Sequence, residues 1–427
     1  MVALVLFGSF IIFLLLNTPI GIALGMSSLV TIIYSGQVDL SYLAQSLTTS
    51  VNSFPLMAVP FFILAGELMG KGGISRRLLN VGNMLFGKYN GGLAIVTVVA
   101  CMFFAAISGS GPATVAAIGG IIVPEMMKRG YDKGFTSGLV ATSGSIGVMI
   151  PPSIPMVIYG VSTGVSISTM FIAGLVPGVL VGLMLILYSY ITSRRRGYKG
   201  LNEKHSAKEI LASFKEAKWA LFVPIIILGG IYGGIFTPTE AAAVAVIYGF
   251  IIGVFVYKDL NFKDLPNVIL SAALTTATVL IIVGTATSFG RILTIEQIPT
   301  KLASAIIGFS DSKIVILLLI NILLLFVGCF METLAAVIIL APILLPVALK
   351  IGVDPVHFGI IMVVNLAIGF MTPPLGVNLF VTCGIADISI EKISKSIMPW
   401  LAVMIVALLI ITYVPAITLT LPRLLGF

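Results

Sequence analysis

Charge is what this chain has least of: Asp, Glu, Lys and Arg together are 9% of 427 residues, against about a quarter in a soluble domain. Histidine is almost missing. With only His205 and His357, both in or beside predicted loops, no serine triad can be assembled around Ser110 or Ser145. The three cysteines, Cys101, Cys329 and Cys383, lie in apolar segments without paired spacing, which excludes a disulfide framework or metal site and leaves small buried hydrophobes. No GxxxxGK[ST] phosphate loop is present, so the chain does not hydrolyse ATP itself. The formal charge of +8 is no nucleic-acid footprint, because its Lys and Arg sit in short loops between apolar runs. No enzyme and no cofactor are expected.

What is there is hydrophobic sequence, 59% of residues with a mean hydropathy of +1.17. That is room for ten or more spans of roughly twenty residues. Apolar runs bounded by Gly, Pro and charge predict segments near 1–16, 19–35, 54–70, 92–107, 112–127, 133–160 and 170–192. A second series runs near 219–236, 238–257, 266–289, 312–328, 333–349, 355–384 and 397–420. The run Val2–Leu16 has no basic flank and no small-residue cleavage site, so it is expected to be a retained span and not a signal peptide.

One pattern occurs twice, 222 residues apart. Pro124, Gly130, Asp132, Gly147, Met149, Pro151, Pro152 and Pro177 recur as Pro346, Gly352, Asp354, Gly369, Met371, Pro373, Pro374 and Pro399. Two halves that each interrupt an apolar segment at the same place are the mark of a transporter built from repeats. Freed backbone is tolerated at membrane depth only where it is buried in protein or lines a cavity. The expected organisation is a first repeat over 1–199, a linker or surface helix over 200–218, and a second repeat over 219–427.

Two pairs of segments, 92–107 with 112–127 and 312–328 with 333–349, are short and tightly linked. Sixteen residues reach about 24 Å, less than the roughly 30 Å hydrocarbon core. They read as re-entrant helical hairpins, the alternative being ordinary short spans with a tight turn. Basic loops 71–88, 128–133 and 194–218 fall on one side, the cytoplasm, and the related loops of the second half are far less basic, as inverted halves require. Within 200–218, Ile210, Leu211 and Phe214 alternate with lysines, suggesting a helix on the membrane surface or a plain solvated linker.

The chemistry-bearing residues cluster at the hairpin tips and helix breaks. The first tip is Ser108-Gly109-Ser110-Gly111-Pro112-Ala113-Thr114. Its glycines let the chain leave helical geometry, exposing carbonyls and amides beside three hydroxyls. Carbonyls with hydroxyls suit Na⁺, and amides at a helix start suit a carboxylate. The first break contributes Ser143, Ser145, Gly147, Ile150 and Ser153, and its counterpart Gly369, Met371, Thr372, Pro373 and Asn378. A proline kink used only for packing is the alternative. The second tip, Gly328 to Thr333, holds Met331 and Glu332, the one carboxylate placed deep in the membrane. Glu332 is expected to serve ion coupling, directly or at one remove, or else to hydrogen-bond the tip backbone. Glu67, Glu125 and Glu240 fall near span ends and read as interfacial, as does His357. The ion set is thus Ser108, Gly109, Ser110, Gly111, Thr114, Ser145, Gly147, Ile150, Gly328, Glu332, Thr333, Gly369, Met371 and Thr372. The substrate set is Ser110, Pro112, Ser143, Ser153, Met331, Pro373 and Asn378.

With these residues the chain resembles, over essentially its whole length, the large membrane subunit of the tripartite ATP-independent periplasmic (TRAP) transporters. The tip 108–114, Ile150-Pro151-Pro152-Ser153-Ile154, Asp354-Pro355-Val356-His357-Phe358-Gly359, Met362-Val363-Val364-Asn365-Leu366 and Thr372-Pro373-Pro374-Leu375-Gly376 carry the likeness. The family usually has Asp at the second acidic tip position, so Glu332 is a departure that keeps charge and alters reach. The resemblance implies an all-α, polytopic, inverted-repeat protein of the bacterial inner membrane, importing organic acids with Na⁺ by an elevator-type movement. It also implies two partners besides membrane lipid: a separately encoded four-helix membrane subunit and a periplasmic substrate-binding protein. A stand-alone carboxylate symporter or antiporter is the rival within transport, and an intramembrane enzyme or channel the rival outside it. Substrates of the sialic acid or C4-dicarboxylate class are implied. The cavity offers no pair of buried cations, which tilts the expectation toward a hydroxyl-rich monocarboxylate. Arg291 sits near the periplasmic edge.

Overall fold

Gly and Pro punctuate the apolar runs, and the computed structural model turns that punctuation into helix ends. It describes residues 1–36, 39–200, 206–301, 312–374 and 376–427, and among them all regular structure is helical. Lys204, His205 and Leu375 lie outside the described residues. The first half runs Val2–Leu15, Ile20–Ser35, Ser41–Val51, Ala58–Lys71, Ile74–Phe86 and Gly92–Ser108. A second hairpin arm from Gly111 to Lys128, Lys133–Ser145, Ile154–Thr163 and Ile167–Arg196 complete it. The second half runs Ala207–Tyr232, Pro238–Ile251, Leu265–Ile295, Lys313–Gly328, Thr333–Lys350, Pro355–Gly369, Val377–Ala386, Ile390–Tyr413 and Ala416–Leu424. Among the described residues five helices are long and apolar enough, each alone, to cross a membrane: Ile167–Arg196, the helix from Pro238 to Val256, Leu265–Ile295, Thr333–Lys350 and Ile390–Tyr413.

The repeat has a backbone counterpart. Asp132 and Asp354 both cap the helix that follows, each with φ −61° and ψ 136°. Gly130 and Gly352, two residues earlier, both take left-handed angles, φ 76° and 69°. Lys133–Ser145 stops where the sequence placed the first break and resumes at Ile154, and Pro355–Gly369 resumes at Val377. The Pro151-Pro152 and Pro373-Pro374 bonds are both cis.

Several expectations need correction. The second hairpin arms are longer than sixteen residues: Thr333–Lys350 has 18 and is by length and composition able to cross. Burial, and not length, marks the hairpins, because Ser108, Thr114 and Thr333 at the tips lie inside the protein. The stretch around Arg76 and Arg77 is not a loop but the amphipathic helix Ile74–Phe86, with Ile74, Leu78, Leu79 and Val81 buried. The 200–218 segment is no separate element from Ala207 onward, since one helix runs unbroken to Tyr232. Its start is fixed by a capping box, Ser206 with Glu209. His357 is not interfacial: it is buried, with Nδ1 against Thr418 Oγ1 at 2.8 Å and Nε2 against the Thr412 carbonyl at 3.2 Å.

Without a hydrophobic drive between helices in lipid, close approach rests on small residues. Lys133–Ser145 lies on Ile390–Tyr413 in this way, because a Cβ at Gly138 would fall 2.7 Å from the Trp400 indole nitrogen. The two broken helices also brace each other. Tyr159 donates its hydroxyl to the Pro355 carbonyl at 2.8 Å, and Asn378 donates its amide to the Ala141 carbonyl at 3.0 Å.

Candidate functional site: two hairpin tips against two helix breaks

Gly92–Ser108 ends because Gly109 takes φ 61°, and the chain turns through an extended Ser110 into the second arm. Three hydroxyl-bearing residues then converge. Ser108 Oγ lies 3.1 Å from Thr114 Oγ1, which donates to the Ser110 carbonyl at 2.8 Å. The first break is pressed onto this tip: Ile154 N–H donates to the Gly109 carbonyl at 3.3 Å. A Cβ at Gly147 would sit 2.5 Å from the Ser110 oxygen and 2.6 Å from Thr114 Oγ1, so only glycine allows the approach. Ser153 Oγ donates to the Val148 carbonyl at 2.6 Å, filling part of the break. Asn378 reaches across from the other half, its Nδ2 also 3.2 Å from Ser145 Oγ, while its Oδ1 is buried without a hydrogen-bond partner. Ser143 Oγ and Asn365 Oδ1, at repeat-related positions, are likewise buried and unpartnered.

The second tip is built on a glycine pair. A Cβ at Gly369 would fall 2.4 Å from the Gly328 carbonyl oxygen. Thr333 Oγ1 donates to the Leu366 carbonyl at 3.4 Å, and Thr372 Oγ1 to the Ile368 carbonyl at 2.7 Å. Glu332 caps the arm Thr333–Lys350, with Oε2 accepting from Leu334 N–H at 3.0 Å and Ala335 N–H at 3.3 Å. Carbonyls expected to be free are therefore partly engaged. Val148 and Ile368 accept rotatable hydroxyls, and the Phe370 carbonyl accepts Asn378 N–H at 2.9 Å.

Both tips face one cavity of about 730 Å³. Ser108, Gly109, Ser110 and Pro112 line it from the first tip and Glu332 from the second. Gly111, Thr114, Ser145, Gly147, Ile150, Gly328, Thr333, Gly369, Met371 and Thr372 are not among its lining residues, nor are Ser143, Ser153, Met331, Pro373 and Asn378. Most of these are buried in the packing between tips and breaks. The opposite wall was missed by sequence reasoning: Glu67 and Lys71 from Ala58–Lys71, and Thr275 and Thr278 from Leu265–Ile295. Hydroxyls three residues apart in a helix were a readable signal, but the cavity joins segments hundreds of residues apart.

Paired helical-hairpin tips against paired helix breaks around a shared cavity are the architecture of a polytopic membrane transporter. Solved transporters agree in fold. YdaH from Alcanivorax borkumensis superposes with a TM-score of 0.64 at 16% identity over 87% of this chain and 88% of that one. MtrF from Neisseria gonorrhoeae gives 0.59 at 12% identity, over 87% and 83%. The chain belongs to the family described as "Tripartite ATP-independent periplasmic transporter, DctM component", which it matches over residues 7–417. It is 56% identical over 413 residues to the isethionate TRAP transporter permease protein DctMQ of Oleidesulfovibrio alaskensis, covering 97% of this chain and 65% of that longer protein. The C4-dicarboxylate large permease DctM of Rhodobacter capsulatus is 43% identical with both chains covered in full, and the sialic acid large permease SiaM of Vibrio cholerae is 40% identical over 95% of each. It is an integral inner-membrane permease subunit and not an enzyme.

Proposed function

We propose that this chain moves a small organic mono-anion into the cell together with Na⁺, after a periplasmic binding protein delivers it and with a small membrane subunit as partner. The observation that carries the reading is the burial of both hairpin tips against both breaks. Hydroxyls and carbonyls gather there beside the unpartnered Oδ1 of Asn378, a neutral oxygen set suited to an alkali cation. The N-terminal end of the first hairpin's second arm, at Ser110, turns toward the same cavity, where peptide dipoles favour an anion, whereas at the second tip the Glu332 side chain already takes that place. Charge favours one negative group over two: Lys71 is the single cation among the described lining residues, and no arginine fork is present. The isethionate permease relative fits a one-charge substrate and shifts the reading from sialic acid toward smaller acids, carboxylate or sulfonate. In an elevator cycle the hairpins and broken helices travel together against Ala58–Lys71 and Leu265–Ile295. The test is uptake by proteoliposomes holding the chain and its two partners. A Na⁺ gradient should drive accumulation of isethionate or another small acid, and gradient-independent uptake would overturn the coupling.

A further inference from the structure

Glu67 and Lys71 lie four residues apart on Ala58–Lys71, so they share one helix face, and both line the cavity opposite the hairpin tips. Neither enters an ion pair among the described residues, where six such pairs form elsewhere. Lys71 is exposed, at the last position of its helix, and Glu67 is half-buried one turn deeper. A cation placed at a rim, with a carboxylate behind it, treats one negative charge and two very differently. We propose that Lys71 and Glu67 form a charge-counting wall of the substrate cavity, in which Lys71 meets the one anionic group of the substrate and Glu67 repels a second.

This rests on the reading of the cavity as the site of a transported organic anion. A lysine ammonium is a compact point charge on a flexible stem with three donors, and it can follow a carboxylate or sulfonate without a fixed fork. At the rim it stays hydrated until the anion arrives, so little desolvation opposes the contact. A dianion with one end at the first tip and the other near Lys71 must bring charge close to Glu67, and the cavity lining then sets the carboxyl groups of Glu67 on the wall and Glu332 on the second tip against one ammonium. Selectivity is the difference between these two affinities, and repulsion supplies it as well as attraction. A lysine serving only as a cytoplasmic orientation signal would have no effect on which anion binds.

The decisive measurement is titration of isethionate and succinate into the permease complex in lipid nanodiscs at saturating NaCl, where no binding protein filters the anions. Lys71→Gln should weaken isethionate by roughly tenfold or more, leave Na⁺ half-saturation unchanged, and be largely rescued by Lys71→Arg. Glu67→Gln should tighten succinate by roughly tenfold and isethionate by clearly less. Unchanged isethionate affinity in Lys71→Gln, or unchanged succinate affinity in a folded Glu67→Gln, overturns the wall while leaving the transport reading intact. A wild-type complex that binds neither anion, and moves no organic acid in proteoliposomes, overturns the transport reading and the wall with it.

Discussion

Ser110 and Glu332 stand at corresponding places, 222 residues apart, and each caps the second arm of its hairpin. Ser110 Oγ accepts one amide, from Ala113 at 3.5 Å, whereas Glu332 accepts two, at 3.0 and 3.3 Å. Beyond the tips the backbone is matched, with caps at Asp132 and Asp354, left-handed glycines and breaks, whereas at the tips it differs, Ser110 having φ −134° and Glu332 φ −65°. The frame fixes where amides and carbonyls point. A single residue then decides whether that place carries a hydroxyl or a carboxyl group.

The largest test of this equivalence is steric. Gly147→Ala and Gly369→Ala each drive a methyl group into a backbone carbonyl, 2.5 and 2.4 Å away. Overpacking of this kind costs about 1–3 kcal/mol, and both variants should lose most uptake per folded transporter in proteoliposomes. Tolerance at one position alone would show that the halves differ in packing as well as charge. Next in size, Glu332→Gln keeps an oxygen for the cap and removes the charge. It should raise the Na⁺ concentration for half-maximal uptake by roughly fivefold or more, and substrate affinity at limiting Na⁺ should fall with it. Ser110→Ala removes a neutral cap that also lines the cavity and should cost about 1 kcal/mol of stability. An unmoved sodium curve in Glu332→Gln would reduce Glu332 to the same capping role. Asn378→Ala removes the buried cross-repeat bond to the Ala141 carbonyl and should lower stability by about 1 kcal/mol, read as a reduced melting temperature. Smallest are Asp132→Ala and Asp354→Ala, about 1 kcal/mol each. Asp132 should cost slightly more at low salt because Arg196 lies 3.2 Å away on the surface. That surplus should vanish in high salt, since exposed pairs are screened.

The breaks and tips were legible because Gly and Pro act locally: the positions of Pro151 and Pro373 state where helix cannot continue. The amphipathic helix Ile74–Phe86 was hidden by its own chemistry, since Arg76, Arg77, Asn80 and Asn83 look like a loop when only hydropathy is followed. Ala207–Tyr232 merged a polar and an apolar stretch in one helix, because lysines are no obstacle to helix where it leaves the membrane. His357 looked interfacial beside a loop, yet Thr412 and Thr418 from the far C-terminal region satisfy both ring nitrogens. The site divides in the same way. Tip hydroxyls are contiguous in sequence, whereas the wall of Glu67, Lys71, Thr275 and Thr278 exists only once distant helices pack.

The reciprocal bracing of the broken helices ties the halves together. Ile154–Thr163 of the first half is pinned through Tyr159 to the start of Pro355–Gly369, and Val377–Ala386 of the second through Asn378 to Lys133–Ser145. Each interruption is thus held open by a strut rooted in the other repeat. Without the other half, Lys133–Ser145 would lose the Asn378 amide and Tyr159 its carbonyl acceptor. The two interruptions thus form a crossed pair, and a displacement of one is felt at the other through bonds of 2.8 and 3.0 Å.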